Sequence, residues 1–339
     1  MKRGNPADEL TVAALVAAAY PARVSTSDIP APQGALPTGE PGAPDSGRSG
    51  LPAALAAYLI WGLLPLYLIL VSSVPPFEFV GWRIVWTLPI CALIVSVRGQ
   101  WGEIRAALFN FQTLKILLAT ATLIAINWFV YVWAIQTGHV YAASLGYYIN
   151  PLLNVLLGTV LLGEKLSRPQ WTAVALAAAG VAVLAAGALT TLWISLTLAF
   201  SFGTYGLLRK RVPVGALPGL TIESGLLLLP AMGIAAWYAA SPAGSAFDDS
   251  LLLSLAIILG GVLTAIPLWL FAVAAKRMAY STLGFIQFLA PTIVFVLGLT
   301  VFEEELKPAQ ALCFALIWIA LALFVWDLWS KSRVRPAAS

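Results

Sequence analysis

Long apolar stretches separated by short polar segments make up the chain from Leu51 onward. A helix of about 20 apolar residues is long enough to cross a hydrocarbon core of about 30 Å. The apolar stretches therefore predict membrane-spanning helices, and the polar segments predict the loops between them. Ten spans are expected, approximately Leu51 to Val74, Phe77 to Val97, Leu114 to Ile135, Val140 to Leu162, Trp171 to Ala188, Leu189 to Leu208, Leu217 to Tyr238, Leu251 to Ala272, Ser281 to Val301 and Ala309 to Trp329.

The boundary between the fifth and sixth spans lies inside a nearly unbroken apolar stretch from Ala173 to Leu208. At about 1.5 Å per residue, one helix of that length would extend for about 54 Å, which is too long for the bilayer core. We therefore expect the chain to fold back, with a hairpin at Gly187 to Thr191.

Composition excludes a water-soluble fold. Of the 339 residues, 60% are hydrophobic and 10% are charged, whereas about 25% are charged in a typical soluble domain. Cys91 and Cys313 both lie in apolar runs, so neither a disulfide framework nor a thiolate metal site is expected. The predicted fold class is all-α integral membrane, and we expect no metal and no cofactor.

Residues 1–50 differ from the rest of the chain, because they are rich in Pro, Gly, Ser and Ala. Their one apolar stretch, Leu10 to Ala19, is too short to span a membrane. Asp8 and Glu9 interrupt the charge pattern of a signal peptide, so we expect a disordered tail or a start codon placed too far upstream instead. The predicted organisation is this tail, five-helix repeats at 51–188 and 189–331, and a cytoplasmic tail at 332–339.

The distribution of Lys and Arg predicts the orientation of the chain in the membrane. If the N-terminus is cytoplasmic, 17 of the 19 basic residues fall on the cytoplasmic side, as the positive-inside rule requires. The two others are Lys307, in an outside loop, and Arg83, within the second span. We therefore expect a multi-pass protein of the cytoplasmic membrane with both termini cytoplasmic. The basic residues form no single patch, so no nucleic-acid partner is expected.

The two halves of the chain match at an offset of 140 residues. At this offset Pro151 and Glu164 fall on Pro291 and Glu304. Each half contains five predicted spans, an odd number, so the second half must enter the membrane from the opposite side. The pattern predicts an inverted repeat, an architecture typical of transporters that alternate between two access states. A duplication that merely enlarged the bundle is the alternative.

Five segments spread over both halves carry recognisable motifs. They are Ala53-Ala-Leu-Ala-Ala-Tyr-Leu-Ile-Trp-Gly62, Ala143-Ser-Leu-Gly-Tyr-Tyr-Ile-Asn-Pro151, Glu164-Lys-Leu166, Leu198-Ala-Phe-Ser-Phe-Gly-Thr-Tyr-Gly-Leu-Leu-Arg-Lys210 and Ser281-Thr-Leu-Gly-Phe-Ile-Gln-Phe288. As a set they resemble the EamA family of drug/metabolite transporters, and within it the RarD branch of chloramphenicol-sensitivity permeases. The resemblance covers Leu51 to about Lys331. It implies a ten-helix transporter fold in a bacterial cytoplasmic membrane, but no particular substrate.

A polar stripe marks the fourth predicted span. Gly146, Asn150, Asn154 and Gly158 recur every four residues and therefore share one narrow face of a helix. Two amides between glycines are poorly suited to face lipid. They either line a cavity or bond a neighbouring helix that packs closely at the glycines.

Pro151 and Pro291 predict paired helix breaks at corresponding places in the two halves. Proline cannot donate a backbone hydrogen bond, so it leaves the carbonyls of Tyr147 and Gln287 without their helical partners. Paired breaks of this kind point to the central site of a transporter.

Other aromatic and polar side chains within spans are candidates for the same site. For any one aromatic residue, packing against lipid or at the membrane interface is the alternative. The predicted substrate-binding residues are Trp61, Asn127, Tyr131, Tyr147, Asn150, Asn154, Tyr205 and Gln287.

Three ionisable residues inside spans, Glu78, Arg83 and Glu223, are candidates for coupling or gating. A charge at a helix centre is costly in the bilayer, so these side chains should face the protein interior or water. A carboxylate in a poorly hydrated helix can exchange a proton near physiological pH, which makes protons the candidate coupling ion. Alternatively, Glu78 pairs with Arg83 or reaches the headgroups, and Glu223 snorkels inward.

The predicted function is that of a secondary transporter, a permease that moves a small metabolite or drug by alternating access, with export favoured. Uptake, and a non-transporting structural or signalling role, are the alternatives. No Walker-type phosphate loop and no Gly-x-Ser-x-Gly elbow occurs, so an enzyme is not expected. The expected partners are a small-molecule substrate and the lipid bilayer, and a homodimer is left open.

Overall fold

The computed structural model describes residues 49–242 and 244–334. This part of the chain is helical, contains no strand and includes ten helices long and apolar enough to cross a membrane. The predicted fold class and number of spans are confirmed. In order, the spans are Leu51–Val71, Pro76–Val97, Phe111–Gln136, Val140–Leu162, Arg168–Ala186, Leu189–Arg211, Ala216–Ala239, Leu251–Arg277, Tyr280–Thr300 and Pro308–Lys331.

The hairpin expected between the fifth and sixth spans is present. The fifth span ends at Ala186, Gly187 follows as its cap, and the sixth span begins with the 3-10 turn Leu189–Thr191. A second irregularity divides the ninth span into helices Tyr280–Gln287 and Leu289–Thr300, which meet at Phe288.

One helix was missed by the sequence reasoning. Trp101–Phe109 forms a short helix in the segment expected to be a loop between the second and third spans. Ile104 and Ala107 are buried, and most of its other side chains are exposed. Its nine residues are too few to cross the bilayer, so a pattern of long apolar stretches does not predict this helix.

Packing between the two halves follows the pattern that an inverted repeat requires. The second span packs against the seventh, the fourth against the ninth, and the fifth against the tenth. Each of these pairs consists of equivalent helices, one from each half. Like helices meet in this way along a pseudo-two-fold axis.

The ends of the fourth and ninth spans have the same local structure. The backbone N–H of Glu164 donates to the carbonyl of Gly158 at 3.0 Å, and that of Glu304 donates to Gly298 at 2.9 Å. The preceding residues, Gly163 and Glu303, both have a positive φ, of 67° and 53°. Glutamate adopts this conformation rarely, so the turn of the second half carries a strain that glycine relieves in the first.

The loops fall at two ends of the bundle, because consecutive spans run in alternate directions. We call one the basic end, since most of the Lys and Arg residues lie there, and the other the opposite end. The basic end comprises 98–110, 163–167, 212–215, 278–279 and the end of the tenth span. The opposite end comprises 72–75, 137–139, 187–188, 240–242, 244–250 and 301–307.

The predicted domain boundaries stay a prediction. The N-terminal tail lies almost wholly outside the described residues, as do residues 335–339 of the predicted C-terminal tail.

The outer surface of the bundle is apolar. Large apolar side chains such as Leu70, Leu229 and Trp237 are more than 60% exposed, as lipid-facing positions of a membrane bundle are.

The orientation can be tested with single cysteines at exposed positions of the two ends. Ala240 is exposed at the opposite end and Lys165 at the basic end. We expect Ala240→Cys to react with an impermeant thiol reagent in intact cells, and Lys165→Cys only after permeabilisation. The native Cys91 and Cys313 are fully buried and can be replaced by alanine.

Ser245, in the same loop as Ala240, is unsuitable for this labelling because it is buried and hydrogen-bonded. Labelling of Lys165→Cys but not Ala240→Cys in intact cells would show that the orientation is opposite to the predicted one.

Candidate functional site

A cavity of about 460 Å³ lies inside the bundle. Its walls come from the first, second, third, fourth, sixth, eighth and ninth spans, so both halves contribute. It extends from Asn150 and Gln287 to Ser72, Val74 and Pro76 at the opposite end. None of its lining residues belongs to the loops of the basic end.

The polar stripe of the fourth span serves both of the purposes considered for it. Asn150 lines the cavity. Gly146 and Gly158 are contact points between helices, because an added Cβ would lie 2.9 Å from Leu198 and 2.8 Å from Glu164.

The remaining member of the stripe is behind the wall of the cavity. Asn154 is fully buried, and its Nδ2 donates to Oε1 of Gln287 at 2.6 Å. Gln287 itself lines the cavity, and the hydroxyl of Tyr58 also donates to its Oε1, at 3.4 Å. Asn154 therefore holds a cavity residue in place instead of facing the cavity.

The two prolines have different effects on their helices. Pro291 lines the cavity, and the ninth span is interrupted at Phe288, one residue after Gln287. Pro151, predicted to break the fourth span, lies within one continuous helix, because a single missing hydrogen bond need not end a helix. Its carbonyl lies where the two spans cross, 2.6 Å from the Cβ that Gly284 lacks.

Most of the predicted aromatic residues are cavity residues. Trp61, Tyr131 and Tyr147 line it, as does Asn127. Nδ2 of Asn127 donates to the carbonyl of Leu198 and to Oγ of Ser201, both at 2.9 Å. Its donor group is thus occupied by the sixth span.

Tyr205 lies outside this cavity, contrary to its predicted place among the substrate contacts. It is almost fully buried, and its hydroxyl donates to Oε2 of Glu223 at 3.4 Å. The sequence showed its helix but not the direction in which the ring points.

Glu223 is the acceptor of a buried polar network. Oγ1 of Thr120 donates to its Oε1 at 2.5 Å, and Nη1 of Arg209 lies 3.5 Å from the same oxygen. Arg209 is fully buried, and its Nη2 also donates to the carbonyl of Ala216 at 2.5 Å. Glu223 therefore does not snorkel to the surface.

Arg209 was assigned from the sequence to the loop charges of the basic end. Gly219 supplies the space for its guanidinium, because an added Cβ there would overlap Nη1. A glycine four residues before a buried acid is the signal that could have indicated a large partner side chain.

A small crevice of about 10 Å³ lies beside Glu223. Trp128 and Leu268, which occupy equivalent positions of the two halves at the 140-residue offset, line both this crevice and the large cavity. Arg83 and Glu223 are equivalent at the same offset. Arg83 therefore lines the large cavity, and its equivalent residue in the second half, Glu223, lines the crevice.

Arg83 is partly buried in the cavity wall. Its guanidinium carbon lies 4.8 Å from the ring centre of Trp128 and 5.8 Å from that of Phe79. These are cation–π contacts, which suit an arginine among aromatic side chains.

Glu78 is fully buried near the opposite end and does not line the cavity. Its Oε1 accepts from Oγ of Ser245 at 2.5 Å, from the backbone N–H of Ala246 at 3.0 Å and from Nε1 of Trp82 at 3.2 Å. Within the described part of the chain it forms no ion pair with Arg83. Glu78 therefore anchors the loop between the seventh and eighth spans.

The described residues contain no cluster of three or more His, Cys, Asp or Glu side chains that could hold a metal ion.

Comparisons with known proteins agree with one another. The EamA-like transporter family matches residues 48–186. An uncharacterised transporter of Pseudomonas aeruginosa is 44% identical over 294 residues, which cover 85% of this chain and 97% of that protein. Protein RarD of Streptomyces exfoliatus is 40% identical, with 86% and 94% covered, and protein RarD of Escherichia coli is 40% identical, with 83% and 95% covered.

A solved crystal structure shares the fold. It superimposes with a TM-score of 0.65 at 20% sequence identity, and the match covers 84% of this chain and 99% of that chain.

The fit of Arg209 against Gly219 can be tested with two glycines of the same helix. Gly219→Ala would force the guanidinium away from Glu223 and should destabilise the protein by about 1–3 kcal/mol, as overpacking does. Gly225→Ala is the matched control, since nothing lies within 4 Å of the added Cβ. Thermal unfolding of both variants in detergent would measure the difference.

Equal melting temperatures for the two variants would contradict this packing of Arg209.

Proposed function

This chain is a RarD-like member of the EamA-like transporter family, and from that membership we propose that it is a secondary transporter that works by alternating access. The proposed cargo is a small metabolite or drug, carried across a bacterial cytoplasmic membrane, and the proposed direction is export. Family membership gives the class of membrane transporter. The observation that carries the mechanism is a cavity between two inverted halves that extends to one end of the bundle only.

The basic end is held together by a carboxylate at a helix N-terminus. Oε1 of Glu164 accepts from the backbone N–H of Tyr280 at 2.6 Å, and its Oε2 accepts from the N–H and Oγ of Ser281 at 2.8 and 2.6 Å. A negative charge is favourable there, because the N–H groups and the helix dipole present positive charge. The contact ties the end of the fourth span to the start of the ninth.

Two lysines add to this closure. Nζ of Lys210 donates to the carbonyls of Ala275 and Met278 at 2.9 and 2.7 Å. Nζ of Lys276 donates to the carbonyl of Val212 at 2.6 Å. Together they join the end of the sixth span to the end of the eighth at the basic end of the bundle.

The equivalent contact at the opposite end is absent from the described residues. Glu304 corresponds to Glu164, but its carboxylate is exposed and accepts no hydrogen bond there. The backbone N–H groups of Val140 and Tyr141, at the start of the fourth span, likewise have no described partner. In the proposed second access state the roles exchange, so that Glu304 caps the fourth span and Glu164 releases the ninth.

Proton coupling is proposed to use Glu223, with Arg209 as its counter-ion. Glu223 touches a crevice that shares Trp128 and Leu268 with the cavity, and a site that alternates between two faces would hydrate it in one state. Glu78 is assigned no coupling role in this proposal, because its contacts hold a loop.

The exchange of carboxylates can be followed with a cysteine in the cavity. Ser144 lines the cavity and is exposed, so Ser144→Cys should react mainly with a reagent applied at the opposite end. Adding Glu164→Gln should shift labelling several-fold towards the basic end, since a hydrogen bond to a charged group contributes about 1.5–3 kcal/mol. Intact cells and inside-out vesicles present the two ends.

Glu304→Gln is the matched control and should leave the reactivity at the opposite end unchanged or increased. Equal effects of the two variants would contradict the exchange.

Proton coupling is tested in proteoliposomes, with a solute identified by comparing the metabolites and drug tolerance of deletion and overexpressing strains. Glu223→Gln keeps the shape of the side chain and removes its charge. We expect gradient-driven accumulation to be lost while solute exchange is retained. The control, Glu78→Gln, should keep gradient-driven flux per folded molecule.

Accumulation by Glu223→Gln at the wild-type level would refute the coupling role. Transport of the solute into the cell in preference to transport out of it would show that the direction is uptake instead of export.

A further inference from the structure

Arg83 is the one charged side chain among the described residues that line the cavity. It lies on the second span, one turn after Phe79, and its guanidinium is next to Trp128 of the third span. The other lining residues with polar side chains are uncharged, and they include Asn127, Asn150 and Gln287. The cavity therefore carries a net positive charge.

No anion of the described chain neutralises this charge. Arg83 forms no ion pair there, and its buried Nε has no hydrogen-bond acceptor. The ionisable groups that interact with it are the phenols of Tyr67, Tyr131 and Tyr147, which are neutral at pH 7.

The buried carboxylates are engaged elsewhere. Glu78 accepts three hydrogen bonds at the opposite end, and Glu223 pairs with Arg209. A cation that is partly withdrawn from water is costly unless an anion with matching geometry accompanies it. Cation–π contacts recover only part of that cost.

The shape of a guanidinium selects the type of anion. Its planar fork of N–H groups matches a carboxylate, which it binds through two parallel hydrogen bonds. Eight of the 28 described residues that line the cavity are aromatic, Trp61, Trp128 and Tyr147 among them. Asn150 adds a buried side-chain oxygen without a partner, which can accept from a hydroxyl or amino group of a ligand.

We propose that the cavity binds small aromatic carboxylates, with the carboxylate on the guanidinium of Arg83 and the ring against the aromatic side chains of the wall. This names the substrate class of the proposed transporter and rests on that proposed function for its physiological meaning. The binding itself is an equilibrium property of the cavity.

Three probes of nearly equal size separate charge from shape. Indole-3-acetate is an anion, indole-3-acetamide is neutral and tryptamine is a cation. Their binding to the purified full chain would be measured by isothermal titration calorimetry in nanodiscs of phosphatidylcholine. We expect indole-3-acetate to bind at least about tenfold more tightly than the amide, as for a hydrogen bond to a charged group, and tryptamine to bind most weakly.

Variants assign the preference to one side chain. Arg83→Gln should bring the affinities for acid and amide within about twofold of each other, and Arg83→Lys should retain part of the preference because it keeps the charge. Arg98→Gln is the matched control. Arg98 also makes a cation–π contact, 5.5 Å from the ring centre of Trp269, but it lies outside the cavity.

Three results would overturn the proposal. The first is equal binding of acid and amide by the wild type. The second is an unchanged preference for the acid over the amide in an Arg83→Gln variant that is folded, as shown by cooperative melting. The third is loss of indole-3-acetate binding when phosphatidylglycerol is added, because an anionic headgroup would then occupy the guanidinium.

The outcome can be told apart from that of the proposed function. Charge-selective binding without flux of any solute across liposomes would support the Arg83 site and contradict transport. Flux of solutes with no preference for acids would do the reverse.

Discussion

Hydrocarbon offers no hydrogen bonds to a polypeptide, so each polar group within the bilayer must find its partner inside the protein or in a water-filled cavity. The irregular backbone of this bundle follows that constraint. The ninth span is interrupted at Phe288, between Gln287 and Pro291, which both line the cavity. The buried carboxylates follow it too, since Glu78 and Glu223 each gather donors from elements distant in sequence.

The features that repeat along the chain could be predicted from the sequence. The ten spans, the hairpin after Gly187 and the inverted halves all depend on patterns of many residues, which tolerate local exceptions. Asn150 and Gln287 could be singled out as cavity-lining residues for a similar reason, because an amide in an apolar helix is conspicuous. The short helix at Trp101–Phe109 was missed, since its apolar face is only two buried residues wide.

Side-chain directions and partners could not be read from the same patterns. Asn154 and Tyr205 lie on predicted helices, yet they point behind the cavity wall. Arg209 sits at the end of a span, where a basic residue can reach the headgroups or turn inward, and packing against Gly219 decides between the two. Such choices depend on which helix lies opposite, and that is a property of the assembled bundle.

The occurrence of arginine at position 83 and glutamate at the equivalent position 223 has an energetic consequence for the proposed transport cycle. With two identical inverted halves, the two access states would be related by a two-fold rotation and would have equal free energy. Opposite charges at equivalent sites remove this degeneracy, because each state hydrates a different sign of charge. A charge that crosses the whole membrane changes in energy by about 2.3 kcal/mol per 100 mV. In the proposed mechanism, the resting balance between the two access states is therefore expected to depend on the membrane potential.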